Sequence, residues 1–263
     1  MQIQHTFIQG KFDDPTQCED AIFYNDHFVA IIDGVTAKSD YRYEGLKTGK
    51  IASLIIQDYL ATVDPTASIQ EIIHGINTAF EDQFYNKVDF PLDRVSHGPQ
   101  AAMILYSNFH HKIYIIGDSQ ALVNGQLHTQ PKASDEILSN FRSLVLHIDP
   151  SQHEEARAAI LPYLISSNTF ANTTGTRFGY SVLNGQEIPD ALIKVIDIKD
   201  GDHIIFTSDG YPTIKEDFAA TEAYLQHILT NDPDLITEYL STKGLQEGQV
   251  SFDDRSYIEF VVD

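Results

Sequence analysis

Three apolar runs in this chain end at, or start from, a carboxylate, and that pattern constrains the fold more than any other feature. Val29-Ala30-Ile31-Ile32 runs into Asp33-Gly34, and His203-Ile204-Ile205-Phe206-Thr207-Ser208 runs into Asp209-Gly210. Asp253-Asp254 stand just before the strand-like Tyr257-Ile258-Glu259-Phe260-Val261-Val262. Apolar runs of about four to eight residues between turn signals are the mark of buried strands. Gly34, having no Cβ, lets the backbone turn sharply and approach a ligand closely. Each carboxylate is thereby held at the end of a rigid element, the placement a metal site needs. Sites this far apart in sequence make sense if the strands gather them, and gathered carboxylates repel unless a cation neutralises them. Oxygen-only donors point to Mg²⁺ or Mn²⁺.

The rest of the chain supplies the layers. Gln2–Gln9 alternates loosely as a first strand, and Ala21–Tyr24 with Phe28–Ile32 reads as a hairpin. Helical spacing marks about Glu44–Leu60 and Ser68–Phe84, the second opening on a Ser68/Glu71 capping box. Ala101–Tyr106, Lys112–Ile116 and Ala121–Val123 read as a meander, with Asn124-Gly125 as a hairpin turn. Helices follow at Ser134–Leu146 and Gln152–Leu164, then a loop from Ser166 to Gly179, a length usual for functional segments. Tyr180–Leu183 with Asn184-Gly185 starts another hairpin. Leu192–Ile198 is expected to pair with His203–Thr207 across Lys199–Asp202. Helices over about Glu216–Leu229 and Asp234–Leu240 precede the closing strand. Blocks of strands alternating with pairs of helices fit a layered sandwich of mostly antiparallel sheets, not a doubly wound parallel one.

Taken in order, Glu19-Asp20-Ala21, Ile32-Asp33-Gly34, Gly117-Asp118-Ser119, Ser208-Asp209-Gly210 and Asp253-Asp254-Arg255-Ser256 resemble the motifs of the metal-dependent PP2C (PPM) protein phosphatases. One Asp-Gly alone is ordinary turn chemistry; the ordered set of five is the signal, and it spans nearly the whole chain. The resemblance implies an α+β, four-layer α-β-β-α sandwich with two mostly antiparallel central sheets, in a single domain over residues 1–263. It implies a serine/threonine protein phosphatase, a phosphoric monoester hydrolase, in which water activated at a two-metal site is the nucleophile. Asp33 would bridge two Mg²⁺ or Mn²⁺ ions, with the Gly34 carbonyl helping to hold the second, and Asp209 and Asp253 would bind the first. Glu19 and Asp20 would act mostly through metal-bound waters, Asp20 and Asp33 being the catalytic pair. Asp118, with Asp209, would take a looser third ion; the alternative for Asp118 is a turn aspartate capping backbone amides.

This chain departs from the family at three places. Val35-Thr36-Ala37 follows Asp-Gly where the family has His or Met-Gly-Gly. Pro15 stands where a phosphate-gripping Arg is usual, and Thr213 where many members have Asp. Lys11, Lys38 and Arg42 are the candidates for the missing positive contact with substrate; the alternative for each is a solvated surface charge. The departures keep open a catalytically weak or inactive regulatory module and a phosphatase of small metabolites.

Composition narrows the partners. Seventeen Lys and Arg against 38 Asp and Glu leave a formal charge of −21, which disfavours nucleic-acid backbones and anionic membranes. The resemblance implies a phosphorylated protein or small phosphoester as substrate, and because the same charge repels phosphoanions, a phosphate-handling site here needs a bound metal. The single cysteine, Cys18, excludes an intrachain disulfide. Neither a signal-peptide pattern nor an apolar stretch of about 18 residues is apparent, so a cytoplasmic location is expected.

Overall fold

The computed structural model describes residues 1–36, 41–88 and 93–263. Among these, ten strands form two five-stranded sheets, and every named pairing is antiparallel. One sheet comprises β1 (Gln2–Gln9), β10 (Arg255–Val261), β9 (His203–Thr207), β6 (Gln120–Val123) and β7 (Gln126–His128), in that order. The other comprises β2 (Ala21–Tyr24), β3 (Phe28–Gly34), β4 (Ala101–Ser107), β5 (Lys112–Ile116) and β8 (Lys194–Asp197). The helices are α1 (Thr48–Leu60), α2 (Ile69–Phe80), the single turn α3 (Arg94–His97), α4 (Ala133–Ile148), α5 (His153–Ser166) and α6 (Phe218–Asn231).

Strand alternation explains why the apolar runs are unbroken. Successive side chains point to opposite faces, and here both faces of the central strands are covered. Val29 and Ile31 of β3 and Ile104 and Tyr106 of β4 meet Ile204, Phe206, Ile258 and Phe260 between the sheets. Ala30, Ile32, Met103 and Leu105 face the other way, onto Ile55, Ile56, Ile72 and Ile76 of α1 and α2. Ile205 and Tyr257 point out of the first sheet onto Leu225 and Ile228 of α6. Three apolar layers therefore separate four layers of structure, the α+β, α-β-β-α sandwich that the resemblance implied. Each fully buried Ile or Phe contributes about 1.5–3 kcal/mol.

Several local expectations needed correction. Leu192–Ile198 does not form a hairpin with His203–Thr207: β8 bonds to β5, while β9 bonds to β10 and β6 in the other sheet. Ile198 and Ile204 both enter the layer between the sheets, so the Lys199–Asp202 turn crosses the sandwich. The Gly117 turn does likewise, carrying the chain from β5 to β6, so the expected meander is split between sheets. Asp234–Leu240 is not helical. The Asp232 carboxylate accepts N–H bonds from Ile236 (3.0 Å), Thr237 (2.9 Å) and Glu238 (2.9 Å), giving those amides an alternative to a helix. Tyr180–Gly185 starts no second strand; Leu183 makes an isolated bridge to Ala101. Helix α1 starts at Thr48, not Glu44, because Glu44 and Gly45 turn through positive φ (51° and 82°). The Ser68/Glu71 capping box is present, and α2 gives way to a wider turn over Glu81–Tyr85.

Antiparallel register also decides where the strand ends lie. Gly34, at the end of β3, is opposite Ala101 at the start of β4, and Ile116, at the end of β5, is opposite Met103. Gln120, starting β6, is opposite Thr207, ending β9, which is opposite Tyr257 near the start of β10. Arg255 is opposite Gln9 at the end of β1, and Ala21, starting β2, is opposite Ile32. These termini bring one edge of the two sheets together, and every acidic motif sits on a segment leaving that edge.

Candidate active site

Glu19 and Asp20 precede β2, Asp33 is the penultimate residue of β3, and Asp118 lies in the β5–β6 turn. Asp209 follows β9 by two residues, and Asp253 precedes β10 by the same interval. The glycine of each Asp-Gly pair is required by close approach. A Cβ on Gly34 would collide with the Gly49 carbonyl of α1 and come within 2.6 Å of the Glu19 carbonyl oxygen. One on Gly210 would strike the Asp254 carbonyl. Gly34 thus seats the Asp33 strand against Glu19, and Gly210 seats the Asp209 turn against Asp254. Within each half, backbone meets backbone at a distance that no residue with a side chain would permit.

The acidic groups form an inner and an outer row. Glu19, Asp20 and Asp254 are buried, at 1%, 1% and 4% exposure, whereas Asp33, Asp118, Asp209 and Asp253 keep partial exposure. Asp254 is a brace: its carboxylate accepts the backbone N–H of Lys11 (2.7 Å) and of Glu19 (2.9 Å). Asp20 accepts a 2.8 Å bond from the Ser256 hydroxyl, and the Ser256 N–H in turn donates to Ser208 Oγ at 3.0 Å. Glu19 Oε2 accepts from the Thr36 hydroxyl at 3.0 Å, while its Oε1 is buried with no partner among the described residues.

Crowding of like charge shows in the acidities. Burial first, then the negative charge of Asp254, pushes Asp20 up to about 8. Burial, then Asp118 and Asp253, pushes Asp209 up to about 7. Asp33 rises well above the usual carboxylate range through burial and the charges of Asp209, Asp20, Asp253 and Asp118. The fold therefore gathers Asp20, Asp33, Asp118, Asp209 and Asp253 into one electrostatic cluster. Burial works against ionisation at Asp253 too, but Lys243 and Lys11 outweigh it and hold its pKa below the usual carboxylate range.

Of the three proposed substrate cations, Lys11 enters this cluster. It is 6% exposed, and its ammonium lies 3.0 Å from Thr36 Oγ1, 3.1 Å from Asp253 Oδ1 and 3.5 Å from both Glu19 Oε2 and Asp254 Oδ2. Burial pulls its pKa down, but the charges of Asp253, Asp254 and Glu19 outweigh that and hold it above the ordinary lysine value. Lys11 is therefore neither a solvated charge nor a cation free to grip a phosphate. Arg42 is exposed and forms no ion pair among the described residues, and Lys38 lies outside them. Two further lysines were not anticipated: Lys243 pairs with Asp253, and Lys132 pairs with Asp118 at 2.9 Å. Neither sits in a motif, so no spacing in the sequence points to them.

Hard divalent cations suit this donor set. Every donor is an oxygen, the carboxylates stand on segments at one edge of the sheets, and Glu19 Oε1 is buried without a partner among the described residues, all of which call for positive charge. Among the described residues no group of three acidic or imidazole side chains is already drawn into a geometry that could hold an ion. Ammonium groups hold Asp253 and Asp118 instead. The described residues include no helix long and apolar enough to cross a membrane.

No family model matches this sequence, and no curated protein matches it. Solved structures do. The serine/threonine phosphatase PstP/Ppp of Mycobacterium tuberculosis aligns over 100% of both chains at 15% identity with a TM-score of 0.53. The PstP catalytic domain in complex with two manganese ions aligns over 100% of both chains at 16% identity and a TM-score of 0.52. The PPM Ser-Thr phosphatase MsPP from Mycobacterium smegmatis, in complex with cacodylate, does so at 16% and 0.50. With its two antiparallel sheets, its flanking helices and its acidic motifs on one sheet edge, this chain has the PP2C-type fold of the PPM phosphatases.

Proposed function

We propose that residues 1–263 form a single metal-dependent phosphatase domain that hydrolyses phosphoserine or phosphothreonine in proteins. The observation that carries this reading is that Asp20, Asp33, Asp118, Asp209 and Asp253 stand on segments at one common edge of the two sheets, where Asp33 feels the charges of the other four. Asp33, the Gly34 carbonyl, Asp209 and Asp253 would hold two Mg²⁺ or Mn²⁺ ions, with Glu19 and Asp20 behind them and Asp118 beside a third. Such ions acidify a bound water and neutralise charge developing on the phosphoryl oxygens. Asp20, which accepts from Ser256, would orient that water, and Asp254 holds the Lys11 and Glu19 backbones together. Lys11 neutralises the inner carboxylates. Lys132 does the same for Asp118, and the two lysines lower the net negative charge a phosphomonoester meets.

The test is Mn²⁺ binding by calorimetry together with phosphopeptide hydrolysis, comparing wild type with Asp33→Asn and Asp209→Asn. Loss of hydrolysis in both variants, with weakened binding, is the expected result; wild-type protein without metal-dependent hydrolysis refutes the reading. One observation favours a second reading, a metal-binding module without turnover: Lys11 and Lys243 both engage Asp253. That reading expects Mn²⁺ binding and no hydrolysis. Comparing a phosphopeptide with small phosphorylated metabolites then decides the substrate class.

A further inference from the structure

A cavity of about 490 Å³ opens beside the acidic cluster, between α5 and the segment that follows α6, with walls that include Arg142, His153, Arg157, Ala158, Lys243 and Gly244. In a chain with only 17 Lys and Arg against 38 acids, three permanent cations converge here. Arg142 is 3% exposed, and its Nη1 donates to the backbone carbonyls of Asp234 (2.7 Å) and Ser241 (3.2 Å). The Nη1 of Arg157, which is half-buried, donates to the Thr242 carbonyl at 2.7 Å. Neither guanidinium forms an ion pair with a carboxylate among the described residues.

Those carbonyl bonds pin the 234–242 segment, and they use one nitrogen of each guanidinium. A guanidinium carries five N–H donors, and Arg142 Nε is buried with no partner among the described residues. Burial lowers the pKa of both arginines; at Arg142 the charges of Asp234 and Asp232 oppose it and that of Arg157 adds to it, and at Arg157 the charges of Asp135 and Asp253 oppose it. Partly buried cations that no carboxylate touches are costly unless an anion joins them. The cavity's own acids, Glu154, Asp234 and Glu247, make no contact ion pair with either arginine among the described residues: Asp234 pairs with His153 at 3.1 Å, and the other two are exposed. Lys243 links the cavity to the reaction centre, since it lines the wall while its ammonium holds Asp253.

We infer that this cavity is an anion subsite, which takes an acidic group of the substrate polypeptide flanking the phosphorylated residue. The group is a carboxylate of Asp or Glu or a second phosphoryl group, since Arg forks bind either through paired N–H bonds. This rests on the phosphatase reading of the neighbouring site. It adds a specificity determinant that lies outside the metal-binding carboxylates.

The test uses the full chain with Mn²⁺ and phosphoserine peptides that differ at one flanking position, carrying Gln, Glu or a second phosphoserine at spacings of roughly two to five residues. Wild type is expected to favour an acidic peptide by about tenfold in kcat/KM at one spacing, mainly through KM. Arg157→Gln and Ala158→Glu should each reduce that preference to about twofold or less. The second substitution sits on an exposed position of α5 and keeps a good helix former, so it guards against a folding artefact. Preference for the second phosphoserine alone assigns the subsite to phosphate, and preference for both acidic peptides assigns it to anions generally. Equal rates for all three peptides at every spacing overturn the inference, as does a preference that survives both variants. Binding of the same labelled peptides, read by fluorescence anisotropy, runs in parallel. If no peptide is hydrolysed, the phosphatase reading fails, while an acidic binding preference abolished by Ala158→Glu still supports the subsite and its absence still refutes it.

Discussion

Replacing Lys11 by Met keeps the aliphatic stem and removes one buried positive charge. Four oxygens lose a partner: Thr36 Oγ1, Asp253 Oδ1, Glu19 Oε2 and Asp254 Oδ2, at 3.0 to 3.5 Å. They do not lose equally. Asp253 keeps Lys243 and is 18% exposed, and Asp254 keeps two backbone N–H donors. Glu19 suffers most, because it is 1% exposed and its other oxygen is already unpartnered. Breaking a buried pair from one side costs about 3–5 kcal/mol, and the Thr36 hydroxyl that still donates to Glu19 Oε2 places this case near 3 kcal/mol. For a chain of this size that is a fall in Tm of about 6–12 °C, read by circular dichroism or calorimetry in EDTA. Repeating the melts with millimolar Mn²⁺ adds a second arm. The variant should gain more from the metal than wild type does, because the ammonium competes with a cation for Glu19 and Asp253. A Tm within about 2 °C of wild type in EDTA would refute the electrostatic reasoning, and so would a smaller Mn²⁺ gain in the variant.

Without metal, stability should fall as pH rises. Asp20, Asp33 and Asp209 have folded acidities above the unfolded value of 3.8, so the native state holds protons that the unfolded chain has released. Their contribution is present below pH 3.8 and is lost as pH rises through about 7 and 8, with the slope given by linkage. Asp253 acts oppositely, but only as pH falls below 3.8. Melts in EDTA at several pH values between about 5 and 8 check this, and a Tm that climbs across that range contradicts it. Gly34→Ala should destabilise by about 3 kcal/mol or more, since the new methyl meets backbone on both sides, measured by urea unfolding; a loss below about 1 kcal/mol would mean the strand can move away from α1. Ser68→Ala removes one half of the capping box and should cost about 1 kcal/mol without altering Mn²⁺ binding; a change in metal affinity would show that α2 is coupled to the site.

The strands were legible because burial on both faces leaves unbroken apolar runs such as Val29–Ile32 and Ile204–Phe206, which no competing pattern imitates. The acidic motifs were legible for a related reason, since a carboxylate followed by glycine at a strand end marks both a donor and a close backbone approach. Pairing across the sandwich was not legible. Leu192–Ile198 and His203–Thr207 look like a hairpin, and the preference for one sheet or two depends on Ile198 and Ile204 meeting Phe206 and Phe260 in a shared layer. Local capping also misled: nothing in the periodicity of Asp234–Leu240 reveals that the Asp232 carboxylate takes up the amides a helix would have used.

The amino-acid sequence by itself determined the two-faced strands, the close-packed glycines and the set of carboxylates, because these follow from side-chain volume, polarity and local spacing. Only the tertiary structure decided how the charges are balanced. Lys132 and Lys243 carry no mark in the sequence that separates them from surface lysines, and Lys11, a candidate for holding substrate, engages the site's own carboxylates instead. Burial at one sheet edge, beside carboxylates distant in the chain, turns them into the counter-charges of the site. The same closeness in space, between α5 and the segment beyond α6, turns Arg142 and Arg157 into the wall of a cavity.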